Sequence, residues 1–285
     1  MNTWWRNIIE PGMVLARTNT NKNNRIGVKR RKVELTKVTR PRLQQTYQRT
    51  ELYDLLDELS ATPFIVVSAL AGSGKSTLLS SYVENRDIPC LWYRVGREDV
   101  DLTTFFYYLG IAVLRMNPYK KSSLPQVSPE RVLRVPLLAK AYFHKLYQCI
   151  EAPFMIVLDN YHELPKDAVL HEVIAEACAA LPPGGRIVLI NNGECGTTLP
   201  NVQFGRTTAV LSGEELRLSP DEVKGVAALY GVTLPSDHAA KQLHGKVDGW
   251  VSGLVNELHG ELPSQSEVNR ATAAGSDEQK TDACR

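Results

Sequence analysis

No C-x-x-C pair occurs in this chain, and its five cysteines (Cys90, Cys149, Cys178, Cys195 and Cys284) are scattered and odd in number. That spacing excludes a zinc ribbon or a paired disulfide framework and points to reduced thiols. No apolar run approaches the roughly 18 residues of a membrane-spanning helix, so no membrane association is expected. The opening Met1-Asn2-Thr3-Trp4-Trp5-Arg6 lacks the apolar stretch of a secretion signal. Together these absences predict a cytoplasmic protein. Acid is scarce at the start: residues 1–50 hold Glu10 and Glu34 against 12 lysines and arginines. With a total net charge of +2, the remainder is acidic on balance. A hydrophobic content of 43% and a charged content of 22% are those of an ordinary globular protein with ample core.

Residues 1–38 are polar, Asn-rich and basic, without sustained periodicity, and are expected to form a flexible arm. The cluster Lys29-Arg30-Arg31-Lys32 offers contacts to nucleic acid or an acidic partner, or a solvated tail. Leu43, Tyr47, Leu52, Leu55, Leu56 and Leu59 recur at helical spacing, which predicts a helix over 42–60. From there apolar strand-like runs alternate with amphipathic stretches. Phe64–Ser68, Cys90–Val95, Pro153–Asp159, Arg186–Ile190 and Thr208–Leu211 read as strands. Phe105–Leu114, 137–150 and 168–181 read as helices, with an irregular proline-bearing connection at 117–136. Continuous apolar strands separated by helices mean a parallel sheet covered on both faces, although strand order is not legible. After Leu216 the pattern becomes all-helical. Ser219-Pro220-Asp221-Glu222 is a capping box with proline at the first helical position, Tyr230-Gly231 closes that helix, and two more begin near Ser236 and Trp250. The expected organisation is a basic arm (1–38), a nucleotide-binding α/β domain (39–211), a small helical domain (212–262) and a disordered tail (263–285).

The stretch Ala69-Leu70-Ala71-Gly72-Ser73-Gly74-Lys75-Ser76 matches the P-loop pattern G-x-x-x-x-G-K-[ST], with Ala69 in place of the first glycine. It lies between a strand and a helix, as a phosphate loop must. Gly72 and Gly74 let the backbone curl so that successive N–H groups, including those near Ala71 and Ser73, face phosphate oxygens. Lys75 is placed to reach the β- and γ-phosphates, Ser76 to ligate Mg²⁺, and Thr77 to continue into the helix. Asp159, ending an apolar strand, supplies the acid that such a site needs for Mg²⁺. Asn160 follows where many P-loop ATPases carry a second acid, and an amide takes up no proton at neutral pH. Glu163 is three residues further along, and His162 is compatible with either a phosphate contact or a packing role.

These residues resemble the MalT-type regulators of the LuxR group, within the STAND branch of signal-transducing P-loop ATPases. The resemblance runs from about Arg40 to Leu258. It rests on Ala71 to Thr77, on Leu91-Trp92-Tyr93-Arg94-Val95 before Phe105-Phe106, and on Val157-Leu158-Asp159-Asn160-Tyr161-His162. It continues in Leu216-x-Leu218-Ser219-x-Asp221-Glu222 and Gly249-Trp250-Val251-Ser252-Gly253-Leu254. It implies a nucleotide switch: ADP held in a closed resting form, with ATP and a signal permitting self-assembly or engagement of a partner regulator chain. It also implies that Gly249 and Trp250 close over the base. The chain departs from the family at Asn160, and at Asn191-Asn192 where the family carries serine-arginine. It also stops before the family's winged-helix, helical-repeat and helix-turn-helix segments. The expectation is therefore an ATP- and Mg²⁺-binding regulatory module tied to transcription regulation, with at most slow hydrolysis and no sequence-specific DNA binding of its own. The alternatives are a P-loop ATPase or kinase with genuine turnover, and an interaction module with structural nucleotide.

Overall fold

The computed structural model describes residues 35–116, 124–125, 127, 135–193 and 208–261. The greater part of the basic arm, the middle of the proline-bearing connection and the tail lie outside the described residues. Among the described residues five strands form one sheet: β1 (Phe64–Ala69), β2 (Cys90–Arg94), β3 (Phe154–Asp159), β4 (Gly185–Asn192) and β5 (Thr208–Leu211). Their order is β2-β3-β4-β1-β5, with every pair parallel.

The period-two geometry of a strand sorts its side chains to the two faces of the sheet. Phe64 and Val66 of β1, Ile156 and Leu158 of β3, and Ile187 and Leu189 of β4 join one apolar cluster. Helices α3 (Leu102–Met116), α4 (Val135–Tyr147) and α5 (Leu170–Ala179) pack into it. Ile65, Val67, Met155, Val157, Val188 and Ile190 point the other way, against α1 (Thr50–Glu58) and α2 (Lys75–Asn85). All six residues of β1 and all six of β3 are buried, which is why both read as unbroken apolar runs. The expected α/β P-loop architecture, a parallel sheet with flanking helices, is the observed one. Pro136 lies in α4, at the second of its described residues.

Two expectations near the start are corrected. The helix predicted over 42–60 begins only at Thr50. Leu43 and Tyr47 do have helical spacing, but both are drawn to the helical cluster: Leu43 lines a cleft beside it, and Tyr47 packs into its core. The fit is so close that a Cβ on Gly225 would lie 1.9 Å from the Tyr47 ring. Residues 35–38, assigned to the flexible arm, instead form a 3-10 turn docked on the sheet domain. Lys37 is 5% exposed, pairs with Asp99 at 2.8 Å and with Glu98, and Val38 enters the core.

Beyond β5, α6 (Pro220–Leu229), α7 (Asp237–Val247) and α8 (Val251–Glu261) share a smaller core built on Leu218, Val223, Ala227, Leu254 and Leu258. The capping box is present: Ser219 Oγ accepts from the Glu222 amide at 3.2 Å, and a Glu222 carboxylate oxygen accepts from the Ser219 amide at 2.8 Å. Glu222 also receives the Arg49 guanidinium, with Nε 2.8 Å from Oε1 and Nη2 3.0 Å from Oε2. The same guanidinium donates to the carbonyls of Leu216 at 2.9 Å and Arg217 at 2.7 Å. One side chain thus ties the segment before α1 to the start of the helical cluster.

Candidate nucleotide site

In an open parallel sheet, ligands sit beyond the carboxyl ends of the strands. Here those ends bring together the loop after β1, Asp159 at the end of β3, and Asn191-Asn192 at the end of the intervening β4. Register makes the meeting specific, since Ala69, the first residue of the loop motif, pairs with Asn192.

The loop turns on Gly72 (φ 80°) and Gly74 (φ 83°), both in the left-handed region that side chains resist. α2 starts at Lys75, directly after that turn, so its unpaired first amides face the loop. Lys75 is 5% exposed, and its Nζ donates to the carbonyls of Ala69 and Leu70, both at 2.8 Å, and to Ser73 Oγ at 3.3 Å. Burial lowers its pKa, and the Asp159 carboxylate works against that shift. A buried ammonium bonded only to neutral oxygens has unspent charge for an anion.

Asp159 is 2% exposed and accepts from Ser76 Oγ at 3.0 Å and from the Asn160 amide at 3.0 Å. Among the described residues no cluster of three or more His, Cys, Asp or Glu is placed to hold a metal. A hydroxyl and a buried carboxylate in contact fit Mg²⁺, a hard ion that takes few protein ligands and fills the rest of its shell with water and phosphate oxygen. Asn160 occupies a left-handed conformation (φ 62°, ψ 38°), which Asn and Asp tolerate better than other side chains. Position 160 therefore has a backbone reason for its residue type besides any chemical one. His162 and Glu163 follow in a 3-10 turn, Tyr161–Glu163, with Glu163 drawn toward Arg97 at 3.4 Å. His162 Nε2 lies 3.0 Å from the Asn192 side-chain amide, while Asn191 donates to Ser68 Oγ at 3.2 Å and locks β4 to β1.

The helical cluster reaches this loop directly. Trp250 Nε1 donates to the Ala71 carbonyl at 3.2 Å. The Gly72 carbonyl accepts from the Ser252 amide at 3.0 Å and from Ser252 Oγ at 2.9 Å. A Cβ on Gly72 would lie 2.3 Å from Ser252 Oγ, so the approach as well as the turn demands glycine there. Gly249 (φ 65°) acts through its backbone, accepting from the Leu218 amide at 2.8 Å, with no room for a Cβ 2.9 Å from the Leu218 carbonyl. Two clefts flank the loop. One, of ≈ 510 Å³, is lined by Arg42, Tyr47, Gly74, Thr77, Leu218 and Val251 among others. The other, of ≈ 530 Å³, lies against Ser73, Gly193, Arg217, Gly249 and Trp250. Ala71 and Thr77 are exposed at the loop, and Trp250 stands over the loop's outer carbonyls, away from the Thr77 cleft. Sequence reasoning missed Arg49, Tyr47 and Ser252. The first two fall within an apparent helical repeat, and Ser252 carries no signal beyond its place in the Gly249–Leu254 run.

No protein-family model matches the sequence, and no curated protein matches it. In three dimensions the chain is similar to the STAND protein PH0952 of Pyrococcus horikoshii, which has a tetratricopeptide-repeat sensor. The TM-score is 0.52 at 16% identity, over 81% of this chain and 34% of that one, so the chain spans about a third of that protein's length. It is also similar to the Walker-type ATPase Paby2304 of Pyrococcus abyssi, with a TM-score of 0.46 and 15% identity over 82% of this chain and 75% of that one. A further likeness is to AMPPCP-bound DnaA of Aquifex aeolicus, with a TM-score of 0.40 and 11% identity over 82% of this chain and 67% of that one. At such identities the likeness is one of fold: a parallel sheet flanked by helices, the P-loop NTPase architecture. Among the described residues no helix is long and apolar enough to cross a membrane.

Proposed function

We propose that this chain is an ATP-binding signal-transduction module of the STAND type, related to the MalT/LuxR regulators, in which bound nucleotide sets the position of the helical cluster. The observation that carries this reading is the bonding of Trp250 and Ser252 to the carbonyls of Ala71 and Gly72. A phosphate loop whose outer face grips the start of α8 couples its own conformation to that of the neighbouring helices. Phosphates would lie on the inner amides of the loop and against Lys75, with Ser76 and Asp159 holding Mg²⁺, which neutralises phosphate charge. Adenine fits the ≈ 510 Å³ cleft beside Gly74 and Thr77, where Tyr47, Leu218 and Val251 offer apolar walls. The proposed divisions are a sheet domain over 39–211 and a helical domain over 212–262.

Binding without fast turnover follows from the chemistry around Asp159. Asn160 orients a water by hydrogen bonding but takes no proton, and Glu163 is engaged by Arg97. The output is proposed to be self-association or engagement of a partner regulator chain rather than sequence-specific DNA binding. Calorimetric titration with Mg²⁺-ADP and Mg²⁺-ATP, read together with sedimentation, tests this. Binding of both nucleotides, with a different oligomer size for each, is the expected result. Equal size in all states would favour structural nucleotide, and multiple turnovers per minute would favour an ATPase.

A further inference from the structure

We infer that His162, held by Asn192, is the residue through which this chain distinguishes a nucleoside triphosphate from a diphosphate; the inference rests on the reading of the β1–α2 loop as a nucleotide site. Two histidines lie close together after β3, and their environments differ in kind. His171 is fully paired: its Nδ1 is 2.7 Å from Tyr161 Oη and its Nε2 is 2.8 Å from the Pro165 carbonyl. That is how a packing histidine is satisfied. His162 has its Nε2 3.0 Å from the Asn192 amide nitrogen, while its Nδ1 is buried and has no hydrogen-bond partner among the described residues. With the Asn192 amide nitrogen donating, Nε2 is the lone-pair nitrogen and a neutral ring carries its hydrogen on Nδ1. A ring that is purely structural would not keep a buried donor unpaired.

Its position supplies the reason. Asn192 is the last residue of β4 and pairs with Ala69 at the base of the loop, while His162 lies in the turn just after Asp159. The ring feels the charges of Lys75 and Asp159, the groups that flank the phosphates, and Glu163 is 3.6 Å from Nε2. Asn191 and Asn192 carry no positive charge, so the imidazole is the ionisable group at this strand-end junction that can gain one. A terminal phosphate brings strong acceptors and negative charge, which favour the protonated ring; Nε2 then donates, and the Asn192 amide turns over to accept from it through its oxygen. A diphosphate lacks that group and leaves the pair as it stands.

The test uses the full chain with Mg²⁺-ADP and Mg²⁺-AMPPNP in calorimetry, for the wild type, His162→Ala and His162→Gln. The expected loss in His162→Ala is about tenfold in triphosphate affinity, with ADP affinity changed by less than about twofold. His162→Gln, which restores a neutral donor, recovers part of that loss. Wild-type preference for triphosphate should grow between about pH 8 and about pH 6 and be flat in both variants. Burial of the ring is the main force against that proton uptake, which Glu163 and Asp159 favour and Lys75 opposes. ADP binding in the variants also reports that the site is folded. A triphosphate-to-diphosphate ratio unchanged by either substitution overturns this inference while leaving the nucleotide reading intact. A wild type that binds neither nucleotide overturns both.

Discussion

Replacing Arg49 by alanine removes four hydrogen bonds at once, two to the Glu222 carboxylate and one each to the carbonyls of Leu216 and Arg217. The side chains of Arg49 and Glu222 are 10% and 12% exposed, so solvent does little to screen the pair or to replace the guanidinium once it is gone. Glu222 keeps its bond from the Ser219 amide, but its charge is left in a largely dry setting. Breaking a buried pair from one side costs about 3–5 kcal/mol. For a chain of this size that lowers the melting temperature by roughly 6–20 °C. Thermal unfolding followed by circular dichroism measures the shift. A double-mutant cycle with Glu222→Gln separates the pair from the two carbonyl bonds, because Gln still accepts from Ser219. The lock also predicts where the damage falls: the Arg49→Ala chain should unfold in two steps, with α6–α8 releasing before the sheet. A loss below about 1 kcal/mol, the value of an exposed pair, would refute the reasoning.

On the proposed function, Lys75→Ala removes a charge-assisted contact to phosphate and should weaken ATP and ADP binding by roughly tenfold to a hundredfold, read by calorimetry. Asn160→Asp keeps a residue type suited to φ 62° and should leave stability within about 1 kcal/mol while raising the single-turnover hydrolysis rate; an unchanged rate would place the missing base elsewhere. Burial holds the imidazoles of His162 and His171 below the usual 6.5, so in acid the unfolded chain takes up protons before the folded one does. Stability should be flat between about pH 7 and about pH 8 and decline as the pH falls below about 6.5, and urea midpoints that do not move on that acid side would contradict it.

The parts of this protein that were legible in its sequence are those governed by local rules. An apolar run buried on both faces announces a central strand, and each expected strand was present. The Ser219-Pro220-x-Glu222 cap needed only four consecutive residues to identify, and it formed as read. Strand order was not legible, because it depends on which apolar faces meet and not on any segment alone. The false helical turn at 42–49 shows the same limit: spacing reports that Leu43 and Tyr47 share a partner, not that the partner is their own sheet. Arg49 was overlooked because its acceptors are 167 to 173 residues away. At the phosphate loop, motif spacing identified Lys75, Ser76 and Asp159 as candidates, and the folded chain brings them together. Nothing in the sequence indicated that Ser252 would crowd Gly72, or that Asn192 would take up His162.

The bonds from Trp250 and Ser252 end on carbonyls whose own peptide groups continue into the loop: the Ala71 carbonyl shares its amide plane with the Gly72 N–H, and the Gly72 carbonyl with the Ser73 N–H. A hydrogen bond accepted at one end of a peptide group polarises it and makes the N–H at the other end a stronger donor. The start of α8 and an anion cradled by the loop would therefore pull on opposite ends of the same two dipoles, each strengthening the other's hold without touching it. Such coupling is reciprocal by thermodynamic necessity. Trp250→Phe, which keeps the ring and drops the donor, reads it as weaker binding of both nucleotides by an equal factor. Unchanged affinities would show that the loop does not transmit polarisation in this way.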